Sequence, residues 1–164
     1  MVIHDKETMA IWELIKEVPD PEIPVLTLTD LGIVRDLSFE AGEVEVTITP
    51  TYVGCPAMKT FEDDIVTALK EGGYQKVNVK TILSPAWSTD WISEEGKAKL
   101  KAYGIAPPQG SADKAELTGE AKNVECPQCR STNSKLLSQF GSTPCKALYQ
   151  CQDCKEPFDY FKCL

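Results

Sequence analysis

The pairing of cysteines near the C-terminus constrains the fold of this chain more than any other feature of its sequence. Six of the seven cysteines lie in the last 39 residues. Cys126 and Cys129 have two residues between them, as do Cys151 and Cys154, and 21 residues separate the two pairs. Because a gap of two residues lets both thiolates of a pair reach one ion, two such pairs can complete a tetrahedral shell. We therefore predict a four-cysteine metal site in this segment.

The ligands and the cellular compartment constrain which metal such a site holds. Four thiolates suit zinc or iron, and we predict structural zinc, with a rubredoxin-like iron or an iron–sulfur cluster as the alternative. The sequence shows no basic-then-apolar leader, which favours a reducing compartment over disulfide formation. Since a closed four-thiolate shell has no open position for a substrate, we expect this metal to stabilise the fold and not to catalyse a reaction.

Two further cysteines, Cys145 and Cys163, lie outside these pairs. One interpretation is that they are small buried residues that pack within a thin ribbon. The other is that they are additional metal ligands, or transient iron–sulfur ligands beside the zinc site. The sequence leaves both interpretations open.

Charge and histidine content exclude several classes of function. Residues 1–122 carry 12 Lys and Arg against 21 Asp and Glu, a net charge of −9 that disfavours binding to nucleic acid. His4 is the single histidine, so the residues for a Ser-His-Asp triad, a histidine-rich zinc hydrolase or a carboxylate–histidine di-iron site are missing. No apolar run approaches the length of a membrane span. An accessory protein is therefore favoured over an enzyme.

Hydrophobic periodicity in the first 105 residues predicts a small α/β domain with a mixed sheet. Apolar residues recur at helical spacing in MAIWELIKEV and again between Pro56 and Glu71, and they alternate in GEVEVTIT. The strand–helix–strand order from Val44 to Leu83 predicts two parallel strands joined by a right-handed crossover. The predicted elements are a helix at 9–18, two strands within 32–49, a helix at 56–71, a strand at 76–83 and a helix at 93–104.

A change of composition separates this domain from the paired cysteines. The stretch APPQGSADKAELTGEAKN is rich in Pro, Gly and small polar residues and has no periodicity, so we predict a linker over 106–122. The cysteines then fall in a second domain at 123–164, in which KLLSQF, ALYQC and PFDYFKC are the predicted strands. The predicted architecture is an α+β domain over 1–105, a linker and a four-cysteine zinc ribbon.

The seventh cysteine, Cys55, lies in the stretch TPTYVGCPAM, directly before Pro56, a residue favoured at the first position of a helix. Free backbone N–H groups and the helix dipole favour a thiolate at such a place. We therefore predict an accessible thiol with a lowered pKa. An inert turn cysteine is the alternative.

Three carboxylates cluster in PDPEIPVLTLTDLG, those of Asp20, Glu22 and Asp30. They flank prolines and a turn, so capping of that turn is one explanation. If the loop folds against Cys55, the same groups could instead bind a metal or tune the thiol.

These stretches resemble a known family. DPEIPVLTLTDLGIV followed by TITPTYVGCPAM resembles the metal–sulfur cluster biosynthesis domain of the SufT/PaaD type, which occurs in iron–sulfur assembly factors. SPAWSTDW and FGSTPCKALYQCQDCKEPFDYFKC resemble the PaaD family, the accessory proteins of bacterial phenylacetyl-CoA 1,2-epoxidase systems. By this resemblance Cys55 corresponds to the reactive cysteine of the family's motif, and Asp20 and Glu22 to its acidic loop.

The resemblance implies a cytoplasmic maturation factor of aerobic phenylacetate catabolism whose partners are the oxygenase and reductase subunits. Its target is either the di-iron site or the iron–sulfur cluster of the reductase. In this hypothesis Cys55 transiently binds iron or a cluster while the zinc ribbon docks the client. A non-catalytic structural subunit of the oxygenase complex is the alternative. We expect no nucleic-acid or membrane partner, and the oligomeric state stays open.

Overall fold

The computed structural model describes residues 6–109 and 123–162, which form two compact units. The first unit ends at Trp87 and the second begins at Ser88. His4 and Cys163 lie outside the described residues. Among the helices in the described ranges, none is long and apolar enough to cross a bilayer.

The first unit is a three-stranded mixed sheet with two helices packed against it. Its elements are α1 (Lys6–Ile15), β1 (Val34–Glu40), β2 (Glu43–Ile48), α2 (Met58–Glu71) and β3 (Lys76–Thr81). The strand order is β1-β2-β3, with β2 antiparallel to β1 and parallel to β3. The predicted mixed sheet and its parallel pair are thus confirmed.

Buried side chains in this unit follow the periodicities of the sequence. Along β2 the buried residues alternate with exposed glutamates, as expected for a strand with one solvated face. Along α2 they recur every four residues, which places them on one face of the helix. The core positions on these two elements are Val44, Val46, Ile48, Phe61, Ile65 and Leu69.

Trp87 fixes the end of the first unit against the loop that precedes β1. Its side chain is buried, and its indole Nε1 donates a hydrogen bond to the backbone oxygen of Leu31 at 2.8 Å. A buried indole N–H needs such an acceptor. The SPAW stretch therefore returns the chain to the core after β3.

The second unit combines one helix with a four-stranded sheet. Its elements are a short 3₁₀ helix (Thr89–Trp91), α3 (Glu94–Tyr103), β4 (Ile105–Ala106), β5 (Ser134–Ser138), β6 (Lys146–Cys151) and β7 (Pro157–Phe161). The strand order is β4-β7-β6-β5, and only β4 and β7 are parallel among these described strands. The last three strands match those predicted. The two-residue β4 was not predicted, because so short a strand has no periodicity.

Several contacts attach α3 and the residues after β4 to the cysteine-bearing part of this unit. Lys101 Nζ lies 2.5 Å from Glu125 Oε1, and the backbone N–H of Gln109 donates to the hydroxyl of Tyr160 at 3.3 Å. The structure therefore groups α3 with the second unit. Domain limits at residues 105 and 123 stay a prediction.

The core of the second unit is aromatic where the first is aliphatic. Tyr149 stacks on Phe158 with ring centroids 6.0 Å apart and meets Tyr160 edge-on at 5.6 Å. Two of the paired cysteines, Cys126 and Cys151, are fully buried in the same cluster. The metal-ligand segment and the small apolar core are therefore one structure.

A two-residue turn joins β1 to β2. Ala41 has a φ of 50° and Gly42 a φ of 81°, the signs that a type I′ hairpin turn requires. Glycine adopts this conformation freely, whereas an alanine there costs about 1 kcal/mol. The turn thus holds a small amount of removable strain.

Replacing Ala41 by Asn should raise the free energy of unfolding by about 0.5–1 kcal/mol, because Asn tolerates the left-handed region and forms the preferred Asn-Gly turn. Urea unfolding of the first unit measures this change. Ala41→Val is the matched variant and should lower stability, since a β-branched residue disfavours positive φ. Equal stability of the two variants would contradict the interpretation.

Candidate functional site

Four cysteine side chains converge at one end of the second unit. The Sγ atoms of Cys126, Cys129, Cys151 and Cys154 all lie within 4.8 Å of one another. The Cys126–Cys154 pair is 3.7 Å apart and the Cys129–Cys151 pair 3.5 Å. These separations far exceed the disulfide bond length of about 2.05 Å. The arrangement is a four-cysteine metal site, built from the two pairs on which the sequence prediction rested.

The two turns that carry these cysteines share one backbone design. The residue after the second cysteine has a positive φ in both, 64° at Arg130 and 67° at Lys155. The N–H groups of Cys126 and Cys151 each donate to the carbonyl five residues further along, at 2.8 and 3.0 Å. Because the turns match, they present their thiol pairs to a common point in the same way.

Backbone N–H groups also point at the sulfur atoms. Those of Cys154 and Asp153 hydrogen-bond to Cys151 and lower the pKa of its thiol to about 7. The N–H of Glu156 lowers the pKa of Cys154, but burial and the three neighbouring cysteine groups outweigh it and raise that pKa to about 12. Four thiols this close cannot all ionise unless a cation lies among them. The cluster is therefore suited to a metal ion.

A carboxylate joins the two turns from outside. Asp153 accepts hydrogen bonds from the hydroxyl of Ser131 through Oδ2 and from Asn133 Nδ2 through Oδ1, the latter at 3.0 Å. Both bonds lower the pKa of Asp153, so it bridges as a carboxylate. The sequence analysis missed this bridge. The available signal was a set of short polar side chains beside each cysteine pair.

Of the two remaining C-terminal cysteines, the structure describes only the first. Cys145 is buried, and its Sγ lies 2.9 Å from the hydroxyl oxygen of Thr143. Among the residues that the structure describes, Cys145 does not belong to the metal-ligand group. The second cysteine, Cys163, lies outside the described residues.

Cys55 lies in the turn between β2 and α2. Its N–H donates to the carbonyl of Tyr52 at 3.3 Å, and its own carbonyl accepts from Met58 at 3.3 Å. The preceding Gly54 has a φ of 81°, which a side chain would disfavour. Helix α2 begins at Met58, two residues later than predicted. Cys55 therefore sits just outside the helix, with its side chain only 6% exposed.

The predicted accessible, low-pKa thiol is wrong in both respects. Burial of Cys55 removes the thiolate from water, and this effect raises its pKa above the ordinary value of 9.0. Hydrogen bonds from the Ala57 N–H and the Tyr52 side chain lower the pKa but do not compensate. The N-terminal N–H groups thus act as the sequence suggested, while desolvation opposes them and prevails.

The acidic loop does fold towards Cys55. The charges of Glu22 and Asp20 both raise the pKa of its thiol, so they act on it at close range. Asp20 is buried, and its Oδ1 accepts from the N–H groups of Glu22 and Ile23 at 2.7 and 2.8 Å. Asp20 therefore caps its own turn, as one explanation predicted, and Glu22 is half-buried.

Asp30, the third carboxylate of the sequence cluster, is also a capping residue. Its Oδ2 accepts from the N–H of Thr27 at 3.1 Å, and its own N–H donates to the hydroxyl of Thr27 at 3.2 Å. This reciprocal pair closes the turn before Gly32. Capping therefore accounts for Asp30 as it does for Asp20.

Two hydroxyl groups near this turn were not anticipated. The hydroxyl of Tyr52 is buried, and the Tyr52 side chain lowers the pKa of the Cys55 thiol. The hydroxyl of Thr49, at the end of β2, is buried and has no hydrogen-bond partner among the described residues. Their signal in the sequence is the polar run TPTY between an apolar strand and Cys55.

The sequence of each unit matches a known family. Residues 8–81 match the family described as "Iron-sulfur cluster assembly protein", and residues 110–162 match the "PaaD zinc beta ribbon domain". Over 154 residues the chain is 48% identical to a protein of Escherichia coli (strain K12) described as a "Putative 1,2-phenylacetyl-CoA epoxidase" subunit, and the match covers 94% of this chain and 92% of that protein. The chain belongs to the PaaD family.

Two further matches concern the first unit of this PaaD family member. The chain is 35% identical over 94 residues to an "Fe-S protein maturation auxiliary factor" of Porphyromonas gingivalis (strain ATCC BAA-308 / W83), covering 55% of this chain and 87% of that protein. A crystal structure of the "Domain of Unknown Function DUF59 from Bacillus anthracis" aligns with a TM-score of 0.54 and 24% identity, covering 57% of this chain and 90% of that one. The latter shows the fold alone. The predicted family and fold class are confirmed.

The alkylation rate of Cys55 in the native protein should rise with pH at a midpoint above 9.0, because burial raises the pKa of the thiol. Glu22→Gln should lower that midpoint, since it removes a negative charge close to the thiolate. Mass spectrometry of iodoacetamide-treated protein over a pH series measures both. A midpoint below the ordinary value, or one that Glu22→Gln leaves unchanged, would contradict this electrostatic account. Glu45→Gln, on the exposed face of β2, is the control for loss of a carboxylate.

Proposed function

We propose that this PaaD family member is an assembly factor that matures the metal centres of a phenylacetyl-CoA 1,2-epoxidase in aerobic phenylacetate degradation. The observation that carries the proposal is the Cys55 turn. A buried thiol with Glu22 beside it lies in a unit whose sequence matches iron–sulfur cluster assembly proteins. The same chain is 48% identical to a protein named as an epoxidase subunit. These two similarities support a role in iron–sulfur cluster assembly for an oxygenase system.

In this proposal Cys55 binds its cargo transiently, as iron or as an iron–sulfur cluster. Binding of iron replaces the proton of the thiol, and the carboxylate of Glu22 favours a cation at that place. Burial shields the bound species from water and from competing ligands. Because Asp20 accepts two backbone hydrogen bonds, it holds the shape of the loop that carries Glu22.

We also propose that the four-cysteine site holds structural zinc. Tetrahedral zinc with four sulfur ligands at about 2.3 Å requires sulfur–sulfur separations of about 3.8 Å. The observed separations of 3.5 and 3.7 Å are close to this value. Zinc bound there would neutralise the thiolates and join the two turns, and all four thiolates would be used as ligands. Such a closed shell has no open position for a substrate, so the metal would stabilise the fold and the ribbon would dock the client.

One zinc ion per chain should be found by metal analysis of the purified protein. Cys129→Ser should remove it and unfold residues 123–162, because structural zinc contributes on the order of 10 kcal/mol to such modules. The first unit should remain folded in that variant, as measured by hydrogen exchange. Cys145→Ser is the matched control and should keep the metal. Full-length protein that remains folded throughout after zinc is removed would contradict the structural role.

Maturation is tested by purifying the oxygenase and reductase components from cells with and without this protein. Cells without it should make both polypeptides, with depleted iron or acid-labile sulfide and with low activity. Cys55→Ser should reproduce the defect without unfolding the first unit, whereas Cys145→Ser should not. The readouts are bound iron, acid-labile sulfide and activity of each component.

A second candidate function, a non-catalytic subunit of the oxygenase complex, is favoured by the word "subunit" in the name of the relative that is 48% identical. The same experiment distinguishes the two. Components that carry full metal when made without this protein, and that regain activity when the purified protein is added during turnover, establish a working subunit. Maturation would then be the wrong function.

A further inference from the structure

A groove runs between α1 and α2 in the first unit. It has a volume of about 380 Å³, and the apolar residues Leu14, Val18 and Ala68 are part of its lining. The tip of Leu14 lies so close to Gly72 that a side chain there would clash with it. Gly72 thus leaves room for the tip of Leu14, which is one of the residues that line the groove.

Three carboxylates line the groove, those of Glu17, Asp64 and Glu71. None of them makes an ion pair or a hydrogen bond with another residue in the described ranges. Two neighbouring carboxylates differ from them: Glu13 pairs with Lys16 at 2.9 Å, and Asp63 pairs with Lys59. The groove is therefore apolar within and carries uncompensated negative charge at its edge.

The groove lies next to the loop that faces Cys55. Pro19 contributes to its lining and is followed directly by Asp20. The N–H of Leu28 donates to the carbonyl of Val18 at 3.0 Å, and the N–H of Asp20 donates to the carbonyl of Leu26 at 2.8 Å. These two hydrogen bonds fix the direction of the backbone where it passes from the groove into the acidic loop. A molecule held there is consequently adjacent to the acidic loop.

We propose that this groove binds a basic amphipathic segment of the client subunit, with an apolar side chain between α1 and α2 and Lys or Arg side chains on the three carboxylates. The proposal rests on the proposed function for the identity of the client. The three carboxylates are spread over α2 and the turn after α1, so a small monoamine cannot pair with all of them, whereas a peptide segment with several basic side chains can. Charge complementarity of this kind accelerates association and sets its salt dependence.

The test uses full-length protein and the metal-depleted oxygenase and reductase components, with binding measured by interferometry at low and at physiological ionic strength. Wild-type protein should bind one component, more weakly as salt rises. The double variant Glu17→Lys, Glu71→Lys should weaken binding about tenfold or more, because it places like charges together. Neutralisation in Glu17→Gln, Glu71→Gln should weaken it less and flatten the salt dependence.

The matched control reverses two exposed carboxylates at the far end of the β1–β2 hairpin, Glu40→Lys and Glu43→Lys, which face each other in the sheet. It makes the same change in net charge and should alter affinity less than about twofold. Equal loss in both double variants would show general attraction to an acidic protein and overturn the groove. Absence of binding to either component would overturn it too, as would self-association that only the groove variant abolishes.

Failure of the groove and failure of the proposed function have different signatures. If the components carry full metal in cells without this protein, but the groove variant still loses binding, the groove proposal is supported and the maturation proposal is refuted. If maturation depends on Cys55 while the groove variant binds and matures its client normally, the groove proposal falls alone.

Discussion

Four sulfur atoms within 4.8 Å of one another form an arrangement that thiolate repulsion opposes and that a bound cation stabilises. The second unit is organised around it. Two turns of the same design deliver the cysteines in pairs, and Asp153 joins the turns through Ser131 and Asn133. The adjacent core consists mainly of three aromatic rings in contact, which is little apolar burial for a sheet of this size. Metal binding and folding of this unit are therefore expected to be one process.

The first unit shows how desolvation and local backbone geometry compete at a single side chain. A turn at a helix N-terminus supplies N–H donors to Cys55, and this would lower the pKa of an exposed thiol. The same turn buries the thiol beside the acidic loop, which has the larger opposite effect. Two carboxylates at close range increase the difference. The result is a thiol that its surroundings keep protonated.

Sequence patterns predicted what depends on local repetition. Alternation of Val44, Val46 and Ile48 indicated the central strand, and two pairs of cysteines at equal spacing indicated the metal site. Features that depend on distant contacts were missed or wrong. The strand β4 exists only because β7 is there to pair with it, and the pKa of Cys55 depends on how deeply the turn is buried. Capping by Asp20 was one of two interpretations that the sequence could not separate, because the partners are backbone N–H groups.

The burial of Cys55 also bears on how easily the sulfur atom is oxidised. Peroxide oxidises thiolates far faster than thiols, and it must reach the sulfur atom to do so. Cys55 is 6% exposed and retains its proton near neutral pH. It therefore offers peroxide little thiolate and little access to the sulfur atom. The resting protein is therefore protected from conversion to sulfenic acid without a partner disulfide or a dedicated reductant.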